Sequence, residues 1–240
     1  RAESSGLGGS SATKLLALLP GESWAEGTSS GKSGTPTQRN VNVSFIVTVR
    51  SVDPNCNFVN TATHTIKVTT NDKYDADAAP NNLVLDAGQR DFNIKLFTAQ
   101  QSSVTAQTVG VYYSTLTLSN YTSTEFLCVS SAPVKLQVVA PGETAVPGSD
   151  SGYTGEASTR TAGAPFVATV NLVDLRWNIT TAYAPIVSVD TDDPYDIEPG
   201  DLTLTQGTTY FVFTFIKKST GTTITALSGS YQNGVSRLVP

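Results

Sequence analysis

The 240 residues carry 15 Lys and Arg against 20 Asp and Glu, a net charge of −5, with 39% hydrophobic and only 15% charged residues. That balance offers no basic stripe for nucleic acid, and no apolar run approaches the roughly 20 residues a membrane-spanning helix needs, so neither nucleic-acid binding nor membrane insertion is expected. Thr, Ser, Gly and Asn stand where a cytosolic globular protein places Lys and Glu; helical periodicity is missing, and a β-rich extracellular surface is expected instead.

The chain opens with "RAESSGLGGS", ten mostly small or polar residues read as an N-terminal linker or assembly segment, residues 1–10. A start at Arg1 and the lack of any Met suggest a processed or excised piece of something longer. The first strand is expected at Lys14, in "KLLALLPGESWAEG", and a close relative, "KLQVVAPGETAVPG", begins at Lys135. An offset of 121 residues aligns Lys14–Asp72 without a gap, with 19 of 59 pairs identical. A two-residue deletion then shifts the frame, so that Gly88 meets Gly207, and Phe92, Ile94 and Leu96 meet Phe211, Phe213 and Phe215. A repeat of this size is a duplicated domain, here 11–131 followed by 132–240.

Within each copy the strands announce themselves by alternation. After Pro20-Gly21-Glu22, the stretch "PGESWAEGTSSGKSGTPTQ" is too polar and glycine-rich for a regular strand and reads as an ordered surface excursion. Phe45, Val47 and Val49 alternate with Ile46, Thr48 and Arg50; Ile66 and Val68 with Lys67 and Thr69; Phe92, Ile94 and Leu96 with Asn93 and Lys95. "VDPNCN", "NDKYDADAAPNN" and "DAGQRD" are the turns between them. About seven such strands per copy, without helix, predict an all-β chain of two tandem immunoglobulin-like antiparallel β-sandwich domains, with a barrel as the alternative.

Few residues suggest chemistry. His64, in the predicted strand "THTIKV", is the one histidine, and no nucleophile–base motif accompanies it. Cys56 and Cys128 either bridge within the domain, pair between chains, or stay as free thiols. Asn42, Asn120 and Asn178 open N-x-Ser/Thr sequons, candidates for glycosylation. Tyr112, Tyr113 and Tyr121 form a potential sugar platform, but alternation turns Tyr112 and Tyr113 to opposite faces. In "DTDDPYDIEPGD" the carboxylates of Asp190, Asp192, Asp193 and Asp196 crowd one loop, a candidate Ca²⁺ site or else a solvated acidic turn. No other cofactor is suggested.

The sequence "KLxxxxPGE…PGxxSGxTG", followed by "F.ATVNLVD..WN" and a strand ending in an acidic "TDD" loop, resembles the tandem immunoglobulin-like repeats of large prokaryotic surface proteins, over nearly the whole chain. The resemblance implies an extracellular or cell-surface stalk, adhesin or filament, with no catalytic residues to transfer. Read on from Pro240 to Arg1 as if joined, the repeat's spacing closes to within one residue, which makes copies of the chain itself the expected partners, end to end. The alternative is a carbohydrate- or ligand-binding module of a secreted enzyme, with surface glycans as partners.

Overall fold

Regular alternation of apolar and polar residues, bounded by Gly, Pro and Asp, can bury a face only by pairing strands. The computed structural model describes residues 11–75, 82–108 and 117–240, and every regular element among them is a β-strand. The readings placed on residues 1–10 and on Tyr112 and Tyr113 lie outside the described residues. Two compact units emerge: the first runs to Leu96 and resumes over Gln100–Cys128, and the second takes Phe97–Ala99 together with Val129–Pro240.

The first domain comprises β1 (Lys14–Leu18), β2 (Glu22–Trp24), β3 (Lys32–Gly34), β4 (Arg39–Asn40), β5 (Phe45–Val52), β6 (Thr65–Thr70), β7 (Asn82–Val84), β8 (Gln89–Ile94), β9 (Gln101–Ser102), β10 (Val104–Thr108), β11 (Tyr121–Thr122) and β12 (Phe126–Val129). One sheet runs β1-β5-β8 and another β11-β10-β6-β7, with β4-β12-β9 along the side and β2-β3 as a hairpin. β5 buries Phe45, Val47 and Val49 and leaves Ile46 exposed, and β8 contributes buried Phe92 and Ile94, as the alternation requires. His64 precedes β6 rather than lying in it; its carbonyl accepts the Leu85 N–H at 3.0 Å.

The second domain repeats the plan with β13 (Lys135–Val139), β14 (Glu143–Ala145), β15 (Tyr153–Gly155), β16 (Phe166–Val173), β17 (Ile186–Thr191), β18 (Leu202–Thr203), β19 (Thr208–Phe213), β20 (Ile224–Leu227) and β21 (Gly234–Val235). Its sheets are β13-β16-β19 and β18-β17-β20-β21, with the hairpin β14-β15. The core is aromatic: Phe166 stacks on Phe213 at 5.8 Å between centroids and meets Phe215 edge-on at 4.8 Å, beside fully buried Phe211. In both domains the first strand belongs to two partners. β1 pairs antiparallel with β5 and bridges parallel to Ser119, and β13 pairs antiparallel with β16 and bridges parallel to Gln232. Each domain is thus an immunoglobulin-like sandwich.

The excursion after the Pro-Gly pair is more regular than its composition suggests. In the first domain it holds the three-residue hairpin β2-β3, in register Glu22↔Gly34 to Trp24↔Lys32. Pro-Gly takes the two central places of a type II turn, where Gly21 at φ 95° and Gly142 at φ 94° adopt the left-handed backbone that glycine tolerates. A Cβ at either would approach a backbone oxygen to 2.5 or 2.4 Å.

Phe92 and Phe211 occupy equivalent, fully buried places in β8 and β19. Replacing either by Ala should lower the stability of its own domain by about 3–5 kcal/mol, read from chemical denaturation.

Candidate functional site

The two Pro-Gly turns fold a glutamate back over the strand that precedes it. Glu22 Oε2 accepts the Leu19 N–H at 3.0 Å, and Glu143 Oε2 accepts the Ala140 N–H at 2.9 Å. Their side chains are almost wholly shielded, 1% and 0% exposed, so the second oxygen of each requires a partner. In the first domain that partner is Lys32 on β3, whose Nζ lies 2.5 Å from Glu22 Oε1, 3.2 Å from Thr124 Oγ1, and over the Tyr121 ring. Burial acts to lower the Lys32 pKa, but the bonds to Glu22 and Tyr121 outweigh it and hold the amine above its usual range.

In the second domain the cation comes from a different part of the chain, just after β21. Tyr153 stands where Lys32 does, and Arg237 stands where Thr124 does, since Ser123 and Ser236 just before them accept the equivalent N–H groups of Val104 and Ile224. Arg237 Nε lies 2.6 Å from Glu143 Oε1, and its terminal nitrogen donates to Gly155 O at 2.8 Å. Its guanidinium also sits over the Tyr153 ring. Burial and the Glu143 charge push the Tyr153 phenol up to about 12, against the opposing pull of Arg237.

The acidic loop after β17 is a turn device. Asp193, 3% exposed, accepts the Tyr195 N–H at Oδ1 (3.0 Å) and the Ile216 and Lys217 N–H groups at Oδ2 (2.7 and 2.8 Å). Burial would raise its pKa, but those amides of Lys217, Tyr195 and Ile216 hold it below the usual carboxylate range. Asp192 accepts the Thr223 N–H, Asp196 the Thr191 hydroxyl, and Glu198 the Thr191 N–H. Burial, with neighbouring aspartates, raises Asp196 and Glu198. Of Asp190, Asp192, Asp193 and Asp196, the residues expected to offer a calcium site, the last three spend carboxylate oxygens on the turn itself. Among the described residues no three His, Cys, Asp or Glu side chains converge to hold a metal. The first domain builds the same turn: Asp72 accepts the Tyr74 N–H, and the Thr70 hydroxyl bonds Asp75.

A second turn device went unread. In "VDPNCN" Asp53 Oδ1 accepts the N–H groups of Asn55 and Asn57, and in "VDLRWN" Asp174 Oδ1 accepts those of Arg176 and Asn178. Cys56 and Trp177 both take φ near +60° there. The signal was present as a repeated Asp-x-x-x-Asn. Each loop also seats an indole: Trp24 Nε1 donates to Cys56 O with Arg50 over its ring, and Trp177 Nε1 donates to Asp150 O with Lys135 Nζ 3.2 Å from its centroid. Burial lowers the Lys135 pKa, partly opposed by Asp174.

The remaining expectations resolve individually. Cys56 and Cys128 are buried and not joined by a disulfide. Asn120 is exposed and Asn42 half-buried. Asn178 is 1% exposed, and its Nδ2 donates to Phe97 O at 2.8 Å and to the Asp174 carboxylate, so the glycosylation reading is corrected there: a glycan would displace these bonds. His64 Nδ1 is buried without a hydrogen-bond partner among the described residues.

No protein-family model matches the sequence, and no curated protein sequence matches it. Solved structures similar to the chain include a glycosyl hydrolase family 2 member from Bacteroides cellulosilyticus DSM 14838, at 10% identity and TM-score 0.38, over 83% of this chain and 24% of that one. The D0–D1 domain of intimin is similar at 12% identity and TM-score 0.33, over 85% of this chain and 93% of that one. The Escherichia coli adhesin FdeC is similar at 10% identity and TM-score 0.36, over 94% and 64%. The chain thus spans about a quarter of the glycosyl hydrolase it resembles.

Two tests follow from the glutamate sites. Glu22→Ala leaves Lys32, 11% exposed, without its counter-charge and should cost the first domain about 3–5 kcal/mol. Glu143→Ala leaves Arg237, 47% exposed, free to turn to water, so the loss should be nearer 1–3 kcal/mol, mostly the orphaned Ala140 N–H. Equal losses in denaturant titrations would refute this account. The second test concerns pH. A phenol raised to about 12 stabilises the fold below the ordinary tyrosine pKa, near 10, and that contribution disappears as pH rises from about 10 through 12. Tyr153→Phe should therefore flatten the fall in the second domain's melting temperature over that range.

Proposed function

We propose that the chain is a structural, non-enzymatic protein of the cell exterior, its sandwiches joined end to end with copies of itself in a filament, stalk or adhesin array. One observation carries the reading: both domains commit their buried ionisable groups to the same backbone-stapling turns, with Glu22 and Glu143, Asp53 and Asp174, and Asp72 and Asp193 in matching places. No helix among the described residues is long and apolar enough to cross a membrane. The mechanism is mechanical. Tension entering before Lys14 loads β1, which five residue pairs hold to β5 and a parallel bridge holds to Ser119. A parallel contact resists such a pull in shear, so its bonds must break together rather than one after another.

A ligand-binding module is the second reading. It draws support from the outer face of β16-β19, where Tyr210, 66% exposed, stands beside Val167 and Val212, directly paired across the strands. The first domain sets Asp91 and Asn93 in the matching places. A glycan array separates the two: binding abolished by Tyr210→Ala favours the module. Electron microscopy of the native material tests the leading reading, which requires filaments or linear arrays with a repeating two-domain unit. Monomers at every concentration would discard it.

A further inference from the structure

In the second domain the sheet β18-β17-β20-β21 turns Val187 and Val189 into the core and Ser188, between them, to the outer face. Register runs Ile186↔Thr203 and Val187↔Leu202 between β17 and β18, and Thr225↔Val235 and Ala226↔Gly234 between β20 and β21. One step further along these ladders, Asp201 comes opposite Ser188 and Asn233 opposite Leu227, while Ser188 and Leu227 are themselves paired. Paired residues share a face, so Asp201, Ser188, Leu227 and Asn233 form one row across four strands, about 14 Å long at roughly 4.8 Å between strands. The row lines an open cavity of about 410 Å³, bordered also by Ile186 and Ser228. That volume lies within the roughly 300–1,000 Å³ of small-ligand sites.

The polar side chains of this cavity are uncommitted. Asp192, Asp193 and Asp196 bind groups of their own turn, whereas Asp201, Asn233, Ser188 and Ser228 make no side-chain hydrogen bond among the described residues. The first domain does not keep the arrangement. Lys67, paired with Asn82, stands where Ser188 does, and Thr65 stands where Ile186 does. A lysine stem in the middle of the row would lie across the cavity, so the small Ser188 is what opens it. The chemistry left facing solvent is specific. One end offers a carboxylate that only accepts, and the other an amide that both donates and accepts. Two hydroxyls and the apolar surfaces of Leu227 and Ile186, the latter 64% exposed, lie between. An ammonium ligand would use Asp201 and leave the Asn233 amide nothing to donate to, and an anion would be repelled by Asp201. A sugar ring uses all of it: its hydroxyls donate and accept, and its C–H face covers apolar side chains.

We propose that this cavity binds a neutral pyranose of a glycan, with Asp201 and Asn233 holding ring hydroxyls from its two ends and Leu227 and Ile186 under its C–H face. Ser188 and Ser228 supply further hydroxyl contacts. The site goes beyond the end-to-end reading and does not depend on it. It is also separate from the exposed Tyr210 face, which belongs to the other sheet, β13-β16-β19. An open cavity with few anchors holds a single ring at about millimolar affinity, and a linear array of such domains would raise that by presenting many copies to one glycan surface.

The test applies the full chain and its Asp201→Ala, Ser188→Lys and Tyr210→Ala variants to an array of neutral glycans. Methyl glucoside, galactoside and mannoside are then titrated against each chain by NMR. The native chain should bind neutral glycans, and its β17 and β20 amide signals should shift on titration with at least one of the glycosides. Asp201→Ala should bind at least about tenfold more weakly. Ser188→Lys, which installs the first domain's residue, should abolish binding. Melting profiles of both should match the native chain, since Asp201 is exposed and a lysine is already accommodated at the equivalent place of the first domain. Tyr210→Ala should bind like the native chain. The proposal is overturned if the native chain binds no neutral glycan in either assay, or if binding survives Asp201→Ala or Ser188→Lys undiminished. Binding lost only in Tyr210→Ala would move the ligand to the other sheet, overturning the cavity while favouring the ligand-module reading. Filaments or monomers in electron micrographs bear on the end-to-end reading alone, so the two fail separately.

Discussion

A carboxylate removed from water must find donors for both oxygens, and much of each sandwich is arranged around meeting that demand for Glu22 and Glu143. One oxygen takes the N–H left over at the Pro-Gly turn; the other takes a cation from a different part of the chain. The result ties the end of the first strand to the short hairpin that follows it. In the second domain it also ties in the stretch leading to Val239, because Arg237 precedes it by two residues and reaches both Glu143 and Gly155. Without the glutamate, a turn with an orphaned amide and a hairpin of three-residue strands would have little to hold them.

The fold was legible in the sequence because burial on one face imposes a period of two. Phe45, Val47 and Val49, then Phe92 and Ile94, could not all be hidden any other way, and their repetition 121 and then 119 residues later made two domains of it. The site was legible only in part. Pro-Gly-Glu stood out as a repeat, but its cations did not. Lys32 and Tyr153 sit in glycine- and serine-rich stretches without periodicity, and Arg237 is far away in the chain. The structural part played by the acidic loop was hidden for a related reason. Carboxylate density is visible in the letters, but the N–H groups of Ile216 and Lys217 that claim Asp193, more than twenty residues on, are visible only once the chain has folded. Asn178 likewise matches a glycosylation motif, yet its neighbour Asp174 and the carbonyl of Phe97 had already claimed its amide.

The turn devices share a physical character. Asp53, Asp72, Asp174 and Asp193 each bind backbone N–H groups close to themselves in sequence, with Asp193 reaching farther as well. Short strands joined by such self-satisfied corners need little from long loops or from charged surface pairs. That accords with a composition poor in Lys and Glu and rich in small polar residues.

The exchange of Lys32 and Thr124 for Tyr153 and Arg237 has a consequence for a chain that carries two versions of one domain. Neighbouring copies with similar strands can trade segments while they fold. A second domain that captured the first domain's hairpin would crowd Lys32 and Arg237 around a single buried glutamate. A first domain that captured the other hairpin would face its glutamate with Tyr153 and Thr124, and no cation at all. The first hybrid keeps the Glu22–Lys32 pair and leaves a half-exposed Arg237 to turn to water, whereas the second buries Glu143 with no cation, so the exchange is penalised chiefly in one direction.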